Sequence, residues 1–204
     1  MIVNTRGGGE FGDEWRKAAI QEKKQNTFND FIAAAETVTK MGITDSTKLF
    51  IEGGSSGGML VTAVTNQRPE LFAATISNVP VTDMLRYQLF TGGRMWADNY
   101  GCSDNKGAVD YLMQYSPLHT IKHVKYPSMM VLAADHDDRV VPLHTYKFVA
   151  TLQYTAGTIE GQNPLLMRIE ENAGHGAGLP MAKAMQKEAD IYAFVAKVTN
   201  TSLV

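Results

Sequence analysis

Ser55 sits in the run FIEGGSSGGMLV, residues 50 to 61, with glycines on either side. Gly53 to Gly57 fit the pattern G-x-S-x-G, which has mechanical meaning between a strand and a helix. In that context the turn puts the serine at the top of a sheet, in strained backbone geometry. Its flanking positions are expected to lack side chains, so that strand and helix can approach closely. The N–H of Ser56 would then point to where an oxyanion develops during acyl transfer. The plainer reading is a flexible Gly/Ser loop, and the pentapeptide by itself does not separate the two.

A serine hydroxyl is a poor nucleophile near neutral pH. The chemistry therefore needs a base and an orienting acid, in the chain order Ser, Asp/Glu, His for a turn of this kind. Acids follow the run SMMVLAA, in Asp135-His136-Asp137-Asp138-Arg139. Spacing does not separate Asp135, Asp137 and Asp138, and acids crowd strand ends in any case. Of the five histidines, His144 and His175 follow this cluster. His144 falls inside an expected helix close behind the acids. His175 lies in the glycine-rich run Asn172 to Gly178, where a ring can swing over strand ends, and it is the candidate base.

Two other motifs compete. Gly7 to Gly12 formally match G-x-G-x-x-G. A lone match is weak, Glu10 would sit beside a pyrophosphate, and a helix stands where the ribose-binding acid should end a second strand. His136 with its neighbouring aspartates suggests a metal site. Adjacent residues on an extended loop point apart, however, and no second ligand cluster supports it, so no metal and no cofactor is expected.

These groups need elements to position them. Apolar β-rich runs alternate with amphipathic segments, as in a mostly parallel sheet with helices on both faces. Strands are expected at Met1 to Asn4, Lys48 to Glu52, Ala73 to Asn78, Ser128 to Ala134 and Leu165 to Ile169. A helix from Phe28 to Met41 has one apolar stripe, a capping-like pair in Thr27 and Asp30, and Gly42 as its terminator. Others are expected at Gly58 to Asn66, Leu143 to Tyr154 and Met181 to Val198. Residues 92 to 127, irregular and aromatic-rich, suit a loop-helix segment over a pocket.

Composition sets outer limits. The 204 residues are most simply one domain, and the net charge of −2 indicates neither nucleic acid nor anionic lipid as a partner. A single cysteine, Cys102, excludes an internal disulfide and fits a reducing, cytoplasmic setting. No apolar run approaches the roughly 20 residues that span a bilayer. The eleven methionines read as core filler.

The strings NTRGGGEFGDEW, GGSSGG, NQRPELF, YGCSD, YSPLH, YPSMMVLAADHDDRVVPLH and AGHGAG are long and rare, and they span nearly the whole chain. They closely resemble the catalytic domain of the prolyl oligopeptidase family, serine peptidases of the α/β-hydrolase fold. The resemblance implies Ser55 as nucleophile, His175 as general base and, directly before Asp138-Arg139, Asp137 as the acid. It places the oxyanion N–H on Ser56, where the family commonly has asparagine. It further implies that Trp96 and Tyr100 line a proline pocket with Val81 and Val140 beside them, and that Arg139 binds a substrate carbonyl. A flat indole face suits proline, whose ring is rigid, apolar and without an N–H.

By the same resemblance, residues 1–204 are one partial, N-terminally truncated peptidase domain without the family's β-propeller. A strand between that ending at Asn4 and that ending at Glu52, and a tyrosine donor to the oxyanion, are then missing. Three readings follow: a peptidase cleaving short peptides after proline; an impaired fragment acting as a scaffold or needing a complementing segment; and an acyl-peptide hydrolase or esterase of the same fold.

Overall fold

The computed structural model describes residues 1–176 and 179–202. Among them lie four strands, β1 (Phe50–Gly54), β2 (Ala74–Asn78), β3 (Ser128–Ala134) and β4 (Leu165–Glu170). They stand side by side in chain order, every neighbouring pair parallel. Parallel neighbours need crossovers, and helices supply them. The helices are α1 (Asp13–Lys17), α2 (Gln25–Lys40), α3 (Ser56–Gln67), α4 (Ala97–Tyr100), α5 (Lys106–Tyr115), α6 (Leu143–Ala156) and α7 (Met181–Val198).

The two-residue period of β3 explains why both faces are covered. Met129 and Val131 pack with Phe148, Val149 and Leu152 of α6. Met130 and Leu132 pack with Ile191, Phe194 and Val195 of α7. In β2 the alternation repeats: Ala74 and Ile76 join the α7 side, while Thr75 meets Thr65 of α3 at 2.8 Å and Ser77 donates to the Gly58 carbonyl at 3.1 Å. A strand apolar on both faces reads as a continuous apolar run, as SMMVLAA does, and each of its residues is buried.

Two expectations are corrected. Met1 to Asn4 are not a strand: they pair with none, and Ile2 is 91% exposed. A strand needs a neighbour about 4.8 Å away, and beside Met1, Ile2 and Val3 lies instead a groove of about 700 Å³ shared with Leu49 to Gly53 of the β1 edge. Leu49 and Ser55 bond to the β2 side, so by alternation Phe50 and Glu52 turn their backbone groups towards that groove. Thr27 and Asp30 do not cap α2, which continues from the 3-10 turn Gln21–Lys23 through Lys24. They clamp Arg6 instead: Thr27 donates to its carbonyl at 2.9 Å, and Asp30 accepts from its backbone N–H at 3.0 Å and its guanidinium at 2.6 Å. At the other end Gly42, at φ 70°, terminates the helix as expected, with Ile43 N–H donating to the Val38 carbonyl and Gly42 N–H to that of Thr39.

Candidate active site

The corner between β1 and α3 holds Ser55 at φ 57° and ψ −115°, a conformation that costs a non-glycine residue about 1–3 kcal/mol. Two backbone bonds hold it there. Its N–H donates to the Asn78 carbonyl at the end of β2 at 2.9 Å, and its carbonyl accepts from Met59 at 3.0 Å. The glycines differ in what they do. A Cβ at Gly53 would collide with the Gly57 carbonyl, and one at Gly58 would lie 2.8 Å from the Asn78 oxygen and 3.0 Å from Pro80. At Gly57 it would meet nothing within 4 Å, because that position opens on the groove beside β1. Close approach therefore demands glycine at 53 and 58 and not at 57: the expectation holds for the Gly53 flank and is corrected for the Gly57 flank.

Asp137 follows β3 with its side chain fully buried. Its Oδ1 accepts from the backbone N–H groups of Arg139 at 2.9 Å and Val140 at 2.8 Å, and its Oδ2 lies 2.6 Å from His175 Nδ1. A carboxylate only accepts, so Nδ1 carries the proton and Nε2 is left as the lone-pair nitrogen. His175 and Ser55 line one cavity of about 260 Å³, and no hydrogen bond joins them among the described residues. Ala177 and Gly178, further along the His175 loop, lie outside the described residues.

The other two acids are placed elsewhere. Asp135 accepts from Ala173 N–H at 3.2 Å and pairs with His136 at 2.7 Å, which anchors the loop leading to His175. Its carboxyl lies well below the ordinary range, first through a backbone hydrogen bond from Asn172 and then through His136. Asp138 is exposed. Geometry thus separates three acids that spacing leaves equivalent. No group of three or more His, Cys, Asp or Glu among the described residues is arranged to hold a metal ion.

Ser56 begins α3, where a backbone N–H has no partner within the helix. Its side chain accepts from the Tyr100 hydroxyl at 2.7 Å. Tyr100, Val81 and Val140 are buried in one apolar cluster, and Trp96 packs against it. Arg139 is exposed beside them, its carbonyl accepting from Thr91 at 3.0 Å. These aromatic residues do not line the cavity that Ser55 and His175 share. Sequence reasoning missed Tyr87, which stacks on Trp96 at 6.1 Å and meets Tyr100 edge-on at 5.6 Å. The aromatic density between residues 87 and 100 was its signal.

His144 stands outside the site. It is buried and accepts at Nδ1 from the backbone N–H groups of Thr82 at 3.3 Å and Asp83 at 3.1 Å. Burial pulls its pKa down to about 4. The unfolded chain binds that proton near 6.5, so the neutral ring contributes stability that is complete above pH 6.5 and is lost as pH falls through 4. The loss is on the order of 3 kcal/mol. Urea unfolding across that window should show it, and a His144→Leu variant, weaker at neutral pH, should lack this slope. An equal slope in both chains would refute the assignment.

The pattern of the Prolyl oligopeptidase family matches residues 1–202. A prolyl endopeptidase of Dictyostelium discoideum is 46% identical over 205 residues, covering 100% of this chain and 27% of that protein. A solved structure from an analysis of two prolyl endopeptidases superposes with a TM-score of 0.92 at 46% identity, covering 98% of this chain and 29% of that one. Prolyl oligopeptidase B from Galerina marginata, bound to a 35mer hydrolysis and macrocyclization substrate, gives 0.92 at 38% identity over 98% of this chain and 28% of its own. The chain thus spans less than a third of the length of these relatives.

Proposed function

Because the chain belongs to the prolyl oligopeptidase family and has the parallel sheet and flanking helices of an α/β-hydrolase fold, we propose that it forms the hydrolytic centre of a serine peptidase that cuts short peptides after proline. One observation carries this reading: His175, held at Nδ1 by the buried Asp137, lines with Ser55 a single cavity at the carboxyl end of the sheet. Ser55 Oγ attacks the carbonyl carbon of proline while His175 Nε2 takes its proton. The carbonyl electrons move to the oxygen, which the Ser56 N–H receives. Collapse of that intermediate expels the amine, to which His175 returns the proton, leaving a Ser55 ester. Water, deprotonated by the same ring, then releases the acid. Asp137 keeps Nδ1 protonated and stabilises the imidazolium.

For substrate choice the reading uses the apolar group of Trp96, Tyr100, Val81 and Val140 as the seat for the proline ring and Arg139 as donor to a neighbouring peptide carbonyl. Incubation with a fluorogenic Z-Gly-Pro substrate and a serine-directed phosphonate is expected to give turnover and a phosphonate adduct on Ser55. Neither adduct nor turnover would overturn the reading. Small acyl esters cut with no loss on exchanging proline for alanine would favour an acyl-peptide hydrolase or esterase.

A second reading rests on the groove of about 700 Å³ along β1. A complementing strand seated there would pair with the backbone of Phe50 and Glu52. Turnover that appears only when a segment filling the groove is supplied supports that reading.

A further inference from the structure

Lys24 joins the turn Gln21–Lys23 to α2 and is buried, with 6% of its surface exposed. Its ammonium lies over the Tyr100 ring, 5.7 Å from the centroid, within the range where a cation is attracted to an aromatic face. The Tyr100 hydroxyl in turn donates to Ser56 Oγ at 2.7 Å. The residue beside the nucleophile is thus tied through one ring to a buried cation on a distant turn.

The surroundings single out Lys24 as the group that changes charge. Packed against its turn are α4, carrying Asp98 and Tyr100, and α5, carrying Lys106, Asp110, Tyr111 and Tyr115, while the turn itself carries Glu22 and Lys23. No charged group among them offsets the burial of Lys24, which pulls its pKa down to about 8. Burial pushes the phenols of Tyr100 and Tyr111 up, and that of Tyr115 up to beyond the usual range. Tyr100 therefore stays a neutral donor while Lys24 titrates. An unpaired buried ammonium opposes folding, so packing alone gives no reason for a lysine here.

We propose that Lys24 is a positioning residue for the oxyanion: its charge holds and polarises the Tyr100 ring, whose hydroxyl pins Ser56 and so aims the Ser56 backbone N–H. This rests on the peptidase reading above. A positive charge over the ring draws density from the phenol and makes its O–H the stronger donor. When Lys24 loses its proton, the ring is held by packing alone and the amide loses part of its alignment.

The test is the rate of Ser55 labelling by a small alkyl fluorophosphonate, which needs no proline pocket, measured on the full chain across pH and paired with thermal melting. In the unsubstituted chain the rate constant should decline as pH passes about 8. Lys24→Met should melt no lower than the parent, label roughly tenfold more slowly below that pH, and lack the decline. Lys24→Arg should restore the rate and move the decline upward, because guanidinium stays charged. The same rate and the same decline in Lys24→Met and the parent would overturn the proposal, leaving the peptidase reading intact. Should Lys24→Met not fold, a decline in Lys24→Arg that stays near the parent's would overturn it equally. No labelling of the unsubstituted chain at any pH would instead overturn the peptidase reading itself.

Discussion

Asp137→Asn is expected to lower the rate of Ser55 acylation about 10⁴-fold with the fold intact. An asparagine can keep its oxygen under the Arg139 and Val140 N–H groups, which now hold Oδ1 at 2.9 and 2.8 Å. Its amide NH₂ then faces His175 Nδ1, where Oδ2 accepts at 2.6 Å. Two donors cannot face one another, so the ring adopts the other tautomer, with Nδ1 as acceptor and Nε2 protonated. The nitrogen that should take the Ser55 proton then has no lone pair to offer. Ser55→Ala removes the nucleophile itself and should cost on the order of 10⁶ in turnover and all phosphonate labelling. Stopped-assay turnover, phosphonate mass adducts and circular dichroism on the same samples separate lost chemistry from lost structure. Full activity in folded Asp137→Asn would show that the carboxylate has no part in the reaction.

The second large effect concerns the backbone under the nucleophile. Gly53→Val is expected to destabilise the chain by about 3 kcal/mol or more, because its first carbon would strike the Gly57 carbonyl, and a backbone atom cannot step aside as a flexible side chain can. Relief requires α3 to lift from β1, which breaks the Ser55 bond to Asn78 and with it the corner. Gly57→Ala is the matched control. Its added carbon meets nothing within 4 Å, and alanine favours a helix over glycine by up to about 1 kcal/mol, so it should be neutral or mildly stabilising. Urea midpoints of the two variants give the comparison. Equal destabilisation would mean that closeness of strand and helix is not what the glycines provide.

How much of this was legible in the sequence follows from what each signal records. β3 and α7 are found at their expected bounds, because a strand buried on both faces is one apolar run and because Pro180 marks the start of the helix. Met1 to Asn4 misled for the same reason: an apolar run reports a wish for burial and says nothing of whether a neighbouring strand is there. Thr27 and Asp30 have the chemistry of a capping pair, yet the ligand they hold is Arg6, 24 residues from Asp30, a contact no local pattern encodes. Among Asp135, Asp137 and Asp138 spacing offered no order and only the family resemblance singled out Asp137, because one carboxylate is turned under His175 by tertiary contacts that no local pattern records. Lys24 gave no signal at all. A lysine between polar neighbours reads as exposed, and it is tertiary packing, Tyr100 included, that buries it.

Each of the three groups stands beyond the end of a different strand, and the imidazole comes last. A ribosome therefore releases hydroxyl first, carboxylate later and ring after both, and only then can Asp135 catch the Ala173 N–H that anchors the His175 loop. On the peptidase reading, a half-made chain holds a serine with no base to rouse it. Cutting power then arrives only with the third group, after β1 to β4 have all been made.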